Sequence, residues 1–524
     1  MIDVAADRTL YLDFAGFAGE QPDREWMVYE RGDGRVFRWT YAAFLNRVHQ
    51  AANLLRELGI RPGDVFNLHL SNHPAYAQLI LAASHLGATA MPTNPASTAD
   101  ELGYLVAHSE SRAIFTEAGC LNVVDRIAAD ANIVPMVCNT GEPIPVGYPV
   151  YEDALSGQSI EPPDGSGSAE RVVQLLYTSG TTSRPKGVML TNACFVYGAE
   201  VFAAGSGLRR EDRHLVALPL FHAGAQCHAL WPSLVTGASV AVMARFSASR
   251  FFEQAIEYGC TMAAMFGALL RMLLNRPERE TDAAHGIRNV TFAQNLTPAQ
   301  YGAWHRRFRA PLQQLWGMTE TCGLPLMSPL TGGRNLAAMG KPVPGYEVKV
   351  VDEKGEEAGA GTPGEVIVKG VPGRTIMLGY LKNPRATAET LRSRPDGTWL
   401  HSGDTVRADE DGFLYFLDRG KDLIRRSGEN ISSIEVEGVI QECDGVEDVC
   451  VVGVPDEIRD ERVVAAVVSE PEADLSGEAI RTYCAERLAA FKVPDRIEFV
   501  DALPRTSVGK IRKQVVRDLL ASAA

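Results

Sequence analysis

No apolar run in the 524-residue chain approaches the roughly 20 residues that a membrane-spanning helix needs, which argues against a membrane as partner. Basic residues are outnumbered, 51 against 65, leaving a formal net charge of −14. That deficit argues against nucleic acid or an anionic lipid surface as the main partner. It also means that any phosphate site must be made positive locally. Cysteines are few, odd in number (nine) and without a C-x-x-C pair. A disulfide framework or a zinc site is therefore not expected, and free thiols suit a reducing cytosol. The opening residues, MIDVAADRTLYLDF, carry acids and lack the basic-then-apolar order of a signal peptide, so the expected location is cytoplasmic. There is no internal repeat and no low-complexity tract. What remains is 46% hydrophobic and 22% charged, a soluble globular composition, at a length that calls for two or more domains.

From residue 41 the pattern alternates. Phe44, Val48, Ala51, Leu55 and Leu58 recur at helical spacing, with Gly59 as a stop. Strands are expected at Val65–Leu70, Ala88–Pro92 and Arg112–Thr116, and helices at His73–Leu86 and Thr98–Ala107. Such alternation implies parallel sheets covered by helices, an α/β fold. A Pro/Gly/Ser-rich stretch, Glu161–Ser168, follows. After residue 345 short strands with turns (Glu347–Val351, Gly364–Val368, Gly412–Phe416) imply a small β-rich subdomain. Beyond Arg419 a fresh alternation of about 100 residues is a fair size for a separate small domain. The expected division is 1–418, a large multi-subdomain N-terminal region, and 419–524, a small mobile α+β domain.

The most telling segment is LLYTSGTTSRPKGVMLTN, residues 175–192. An apolar strand enters Thr178-Ser179-Gly180-Thr181-Thr182, and the loop closes on Pro185-Lys186-Gly187. Glycines let backbone N–H groups face an anion, hydroxyls add neutral donors and Lys186 adds charge, as phosphate oxygens require. The segment misses the nucleotide loop G-x-x-x-x-G-K-[ST] twice, with Pro185 in place of the second glycine and Gly187 in place of the metal-binding hydroxyl. A phosphate loop of another type is indicated, against the plainer reading of a surface loop.

Four more clusters lie far apart: Leu315-Trp316-Gly317-Met318-Thr319-Glu320-Thr321, Trp399-Leu400-His401-Ser402-Gly403-Asp404, Asp418-Arg419-Gly420-Lys421-Asp422, and Leu503-Pro504-Arg505-Thr506-Ser507-Val508-Gly509-Lys510. Singly, each has a structural explanation. In this order, together with YTSGTTSRPKGV, they resemble the acyl- and aryl-CoA synthetases of the adenylate-forming superfamily, over nearly the whole chain. LPLFHAGAQC, KGVPGRTI, RSGENIS and GVPDEIRDE are similar to segments of crotonobetaine/carnitine-CoA ligases.

That resemblance implies an ATP-dependent carboxylic acid–coenzyme A ligase. A small or medium acid, betaine-like by the closer likeness, would form acyl-AMP and pyrophosphate, and then the thioester. An adenylating enzyme with another acceptor (a carrier protein or an amine), or one activating an unusual oxyacid, is the alternative. By resemblance Thr178, Ser179, Gly180, Thr181, Thr182 and Lys186 would hold the β- and γ-phosphates, and Glu320 with Thr178 would hold Mg²⁺. Thr319 would reach the α-phosphate, Trp316, beside Leu315, would stack on adenine, and Asn295 would pair with the base. Asp404 and Arg419 would bind the ribose. Lys510 would screen the meeting of carboxylate and α-phosphate. Lys421 would be the pivot for a rotation that brings Arg425, Ser427 and Gly428 to the coenzyme A step, with Arg245 at its phosphates. His222 would gate a pocket lined by Phe221, Ala223, Gly224, Gln226, Met265, Phe266, Gly267 and Cys322, with the small residues leaving room and Gln226 and Cys322 making the wall partly polar. The partners implied are the acid, ATP and coenzyme A, and a homodimer is the assembly left open.

Overall fold

The computed structural model describes residues 7–178, 185–293, 296–331, 335–419, 422, 424–426, 429–456, 460–471, 473–505 and 511–522, with the side chains of 418, 419, 425, 429, 430 and 460 outside the description. The chain divides into two compact units, Met1–Asn295 with Gln300–Val348 and Val368–Leu400, and Leu296–Ala299 with Lys349–Ile367 and His401–Ala524.

The alternation read from the sequence becomes two sheets in the larger unit. One is nine-stranded, and its interior is parallel: Glu25–Glu30, Ser239–Met243, Arg213–Val216, Met262–Phe266, Asn289–Ala293 and Leu312–Trp316 lie side by side. Antiparallel strands close both edges. The other is seven-stranded, with Val172–Thr178, Thr89–Pro92, Val65–His69, Ile114–Glu117 and Met136–Cys138 parallel. Lys186–Thr191 and Gly379–Tyr380 are added to it antiparallel.

Local chemistry fixes the helices between these strands. Tyr41–Glu57 starts where the Thr40 hydroxyl accepts the Ala43 N–H at 3.2 Å, buries Phe44, Val48, Ala51 and Leu55, and is followed by Gly59 at φ +82°. Ala99–Ser109 carries a full capping box between Thr98 and Glu101. The first begins three residues before the Phe44–Leu58 periodicity and ends one residue short of it, and the second lies within two residues of the predicted Thr98–Ala107.

The stretch 161–168, loop-like in composition, is stitched down. His85 Nε2 bonds to the Pro163 carbonyl at 2.7 Å, and the His85 carbonyl accepts the N–H groups of Ser166 and Gly167 at 3.0 and 2.9 Å. A Cβ on Gly167 would stand 1.8 Å from the Ser84 carbonyl oxygen, so only glycine fits there.

A five-stranded sheet contains Glu347–Val351, Pro363–Gly370, Gly397–Ala408, Leu391–Arg394 and Leu414–Arg419. Beyond it the chain has a core of its own. In the paired strands Val446–Asp456 and Asp460–Ser469, alternate residues face opposite ways. Val449, Val451, Val463 and Ala465 pack with Val436, Ile440 and Ile480, whereas Cys450, Val452, Val464 and Ala466 pack with Val516 and Leu520. Among the described residues no helix is long and apolar enough to cross a membrane.

Candidate active site

In the larger unit the sequence-marked residues gather at the carboxyl ends of neighbouring parallel strands, the position where open α/β sheets bind ligands. Leu312–Trp316 ends on Trp316, 8% exposed, and Asn289–Ala293 stops just before Gln294 and Asn295, which lie outside the described residues. Met262–Phe266 ends on Phe266, and the segment after Arg213–Val216 delivers His222. The His222 ring meets Phe266 edge-on with centroids 5.9 Å apart, and its Nδ1 accepts the Gly224 N–H at 3.0 Å.

The phosphate-loop candidate is a β-hairpin. Val172–Thr178 and Lys186–Thr191 pair antiparallel, and Thr178 and Lys186 form the last rung. Ser179, Gly180, Thr181 and Thr182 lie outside the described residues. This geometry accounts for both departures from the nucleotide-loop pattern, because the chain leaves the loop as a strand and not as a helix. Gly187 has no room for a side chain: a Cβ there would lie 2.9 Å from Leu175 and 3.1 Å from the Tyr177 ring. The helix Ala99–Ser109 holds both arms of the hairpin. Tyr104 donates to the Pro185 carbonyl at 3.4 Å, and the Tyr177 hydroxyl lies 2.6 Å from His108 Nδ1.

Opposite the hairpin, Thr319–Thr321 forms a 3₁₀ turn with Glu320 5% exposed. The Glu320 carbonyl accepts the Met377 N–H at 2.8 Å, and its carboxylate accepts the Tyr380 hydroxyl at 2.7 Å. The ammonium of Lys186 stands 4.3 Å from the centroid of that same Tyr380 ring. Burial, followed by the neighbouring Glu320 charge, pushes the Tyr380 phenol well above its ordinary value, so it stays protonated and donates.

Two expectations about the acid pocket are corrected. Gln226 is fully buried and its amide is committed inward: it donates to the Leu220 carbonyl at 2.8 Å and accepts from Gln174 and Trp231 at 2.6 and 3.0 Å. Cys322 is part of the larger unit's core cluster, its thiol raised by burial first and then by Cys227. Neither side chain makes the wall polar. Gly224 does not leave room either, since a Cβ would lie 3.0 Å from Phe266 and 3.2 Å from His222. It is small so that these two rings can close over it.

In the second unit Asp404 is 4% exposed and is the rung partner of Arg419 across antiparallel strands, so the two ribose candidates share one position in that sheet. Lys421, Ser427, Gly428 and Lys510, like the side chains of Arg419 and Arg425, lie outside the described residues. Arg245 is 73% exposed, with its guanidinium 3.7 Å from Glu117.

The AMP-binding enzyme family model matches residues 14–381, and that of the AMP-binding enzyme C-terminal domain matches 435–510. The chain belongs to the AMP-binding enzymes. This AMP-binding enzyme is 33% identical to the crotonobetaine/carnitine–CoA ligase of Salmonella paratyphi B over 519 residues, 98% of this chain and 99% of that relative. Among solved structures it is similar to ATP-bound MatB from Rhodopseudomonas palustris, at a TM-score of 0.87 and 26% identity, covering 98% and 100% of the two chains. A benzoate CoA ligase from Burkholderia xenovorans LB400 matches at 0.86 and 25%, covering 97% and 100%.

Sequence reasoning missed Tyr380, Tyr177, Tyr104 and His108. Gly379-Tyr380 before Asn383-Pro384 carries a local signal, a turn feeding a helix at whose start the Asn383 side chain accepts the Ala386 N–H. Nothing local shows that the Tyr380 hydroxyl meets a carboxylate sixty residues away.

Proposed function

We propose that this AMP-binding enzyme activates a small or medium carboxylic acid of betaine-like character, holding the ATP phosphates between the 178–186 hairpin and Glu320. It is an ATP-dependent acid–coenzyme A ligase that works through an acyl-adenylate and releases pyrophosphate. A carboxylate repels nucleophiles by its own charge, and adenylation removes that charge and supplies a leaving group. Positioning and electrostatic stabilisation carry such a step.

What supports the assignment of roles is one arrangement: a cation (Lys186) at the hairpin mouth and a buried carboxylate (Glu320) are tied to a common ring. Lys186 would neutralise phosphate charge. Glu320, with the Thr178 hydroxyl, would hold Mg²⁺. Among the described residues no group of three or more His, Cys, Asp or Glu could hold a metal unaided. One buried carboxylate fits Mg²⁺, which takes one or two carboxylates and completes its shell with waters and phosphate oxygens. When bound, the ion would offset the charge that grows on the departing pyrophosphate. Trp316 would stack on adenine, and Asp404 with Arg419 would hold the ribose. Lys510 is the group assigned to screening the attack.

The betaine-like character rests on the similar crotonobetaine/carnitine–CoA ligase and on the aromatic rings of Phe266 and Trp316, at the ends of the two strands that flank Asn289–Ala293, which can receive a quaternary ammonium by cation–π contact. A pyrophosphate-release screen over betaines, short straight-chain, aromatic and amino-bearing acids, with and without coenzyme A, tests the whole reading. AMP, pyrophosphate and a thioester from a betaine are expected. Straight fatty acids outrunning betaines and short polar acids would overturn the substrate class. Adenylation with no thioester from free coenzyme A would point to a different acceptor.

A further inference from the structure

We infer that Tyr380 is a positioning residue of the adenylation site: its ring face stations the Lys186 ammonium while its hydroxyl sets the Glu320 carboxylate, so the two charges are aimed separately and do not quench each other. The inference rests on the roles proposed above for Lys186 and Glu320.

An ammonium and a carboxylate facing one phosphate group attract each other, and a direct pair would spend both charges before any ligand arrived. Here the phenol ring takes the ammonium on its face, 4.3 Å from the centroid, and engages the carboxylate at its edge through a 2.7 Å hydrogen bond. Both contacts leave the charges intact. A cation on a ring keeps N–H groups for phosphate oxygens, and a carboxylate that accepts one hydroxyl keeps lone pairs for a metal.

The backbone that carries the ring is fixed on two sides. Gly379 and Tyr380 pair with Met189 and Val188, and the Leu381 N–H donates to the Gly187 carbonyl at 2.8 Å. The Tyr380 N–H donates to the Thr387 hydroxyl at 2.9 Å. Gly379 sits at φ +152°, and a Cβ there would meet Thr387 at 2.9 Å. The short strand thus couples the arm of the hairpin to the turn of Glu320, two segments 134 residues apart by their numbers, 186 and 320.

The two functions of the ring separate by substitution. Tyr380→Phe keeps the face and removes the hydroxyl, whereas Tyr380→Leu removes both. ATP binding is measured by titration calorimetry with excess Mg²⁺ and again in EDTA, alongside the Mg²⁺ concentration that half-saturates pyrophosphate release. For Tyr380→Phe, affinity in EDTA is expected to stay within about twofold of wild type. The Mg²⁺–ATP affinity is expected to fall about tenfold and the Mg²⁺ requirement to rise about tenfold, the scale of one hydrogen bond to a charged group. For Tyr380→Leu the affinity in EDTA falls as well, by about threefold to tenfold. Circular dichroism and thermal melting confirm that both variants are folded. Equal weakening of both affinities in Tyr380→Phe, or none, overturns the inference, and unchanged EDTA affinity in Tyr380→Leu overturns the Lys186 half of it. If wild-type protein shows neither a Mg²⁺ preference nor acid-dependent pyrophosphate release, the site assignment itself falls.

Discussion

Lys186 illustrates how a charge can be kept ready without being consumed. Leaving an aromatic face costs about 1–2 kcal/mol, less than a charge-assisted hydrogen bond to phosphate returns, so an arriving nucleotide wins the lysine from Tyr380. A salt-bridged lysine would be harder to recruit. Lys186→Met keeps most of the stem and removes the charge. Pyrophosphate release is expected to fall about a hundredfold, with the melting temperature nearly unchanged, because among the described residues the ammonium meets the Tyr380 ring and forms no salt bridge. A loss of activity matched by a loss of fold would assign Lys186 to the scaffold. Tyr177 is the structural counterpart. Its hydroxyl meets the His108 imidazole, whose proton affinity is lowered first by burial and then by nearby Lys382. Tyr177→Phe should cost about 1 kcal/mol in a denaturant titration.

At the scale of elements the hairpin decides most. Its stem is a two-stranded register with no slack at Gly187, so Gly187→Ala must displace the Leu175 side chain or the Tyr177 ring. Overpacking of this kind costs about 1–3 kcal/mol. The expected result is a lower denaturation midpoint together with weaker ATP binding, since the strain falls on the arm that bears Lys186. Unaltered ATP affinity would show that the stem does not position the loop. This element also shows what the sequence could reveal. The hydroxyl-glycine-lysine run announces its chemistry because phosphate binding needs those groups within a few residues of one another. Helices such as Tyr41–Glu57 were legible for the same reason, their caps and apolar faces being local. The Tyr380–Glu320 bond, the inward commitment of Gln226 and the packing role of Gly224 were not. Each depends on which distant segment the fold brings alongside, and a buried amide has the same letter as one that lines a pocket.

At the scale of the whole molecule, buried histidines set the response to acid. Burial lowers His73 and His214 to about 3 and His69 and His228 to about 4, against 6.5 when unfolded. The native protein holds all four neutral, whereas the unfolded chain protonates them below 6.5, so stability is full above that pH and drains as pH falls toward 4. Each contributes a slope of about 1.4 kcal/mol per pH unit within that window. Melting temperatures recorded from pH 7.5 to 4.5 should drop steeply below 6.5, and a flat profile would contradict neutral burial. The segment after 419 has its own apolar core, so a surface change there should leave the larger unit's stability alone. By the role proposed for it, Lys510→Ala is expected to abolish adenylate formation while sparing thioester formation from supplied acyl-adenylate, and equal loss of both half-reactions would remove that role. The stitched stretch 161–168 has a practical consequence. Its exposed, proline- and glycine-bearing sequence advertises a place to nick the chain or graft a tag, yet the Pro163 carbonyl and the Ser166 and Gly167 amides are already bonded to His85. Proteases, which need a released and extended backbone, should pass over it, and an insertion there would pry the phosphate strand from the helix beneath.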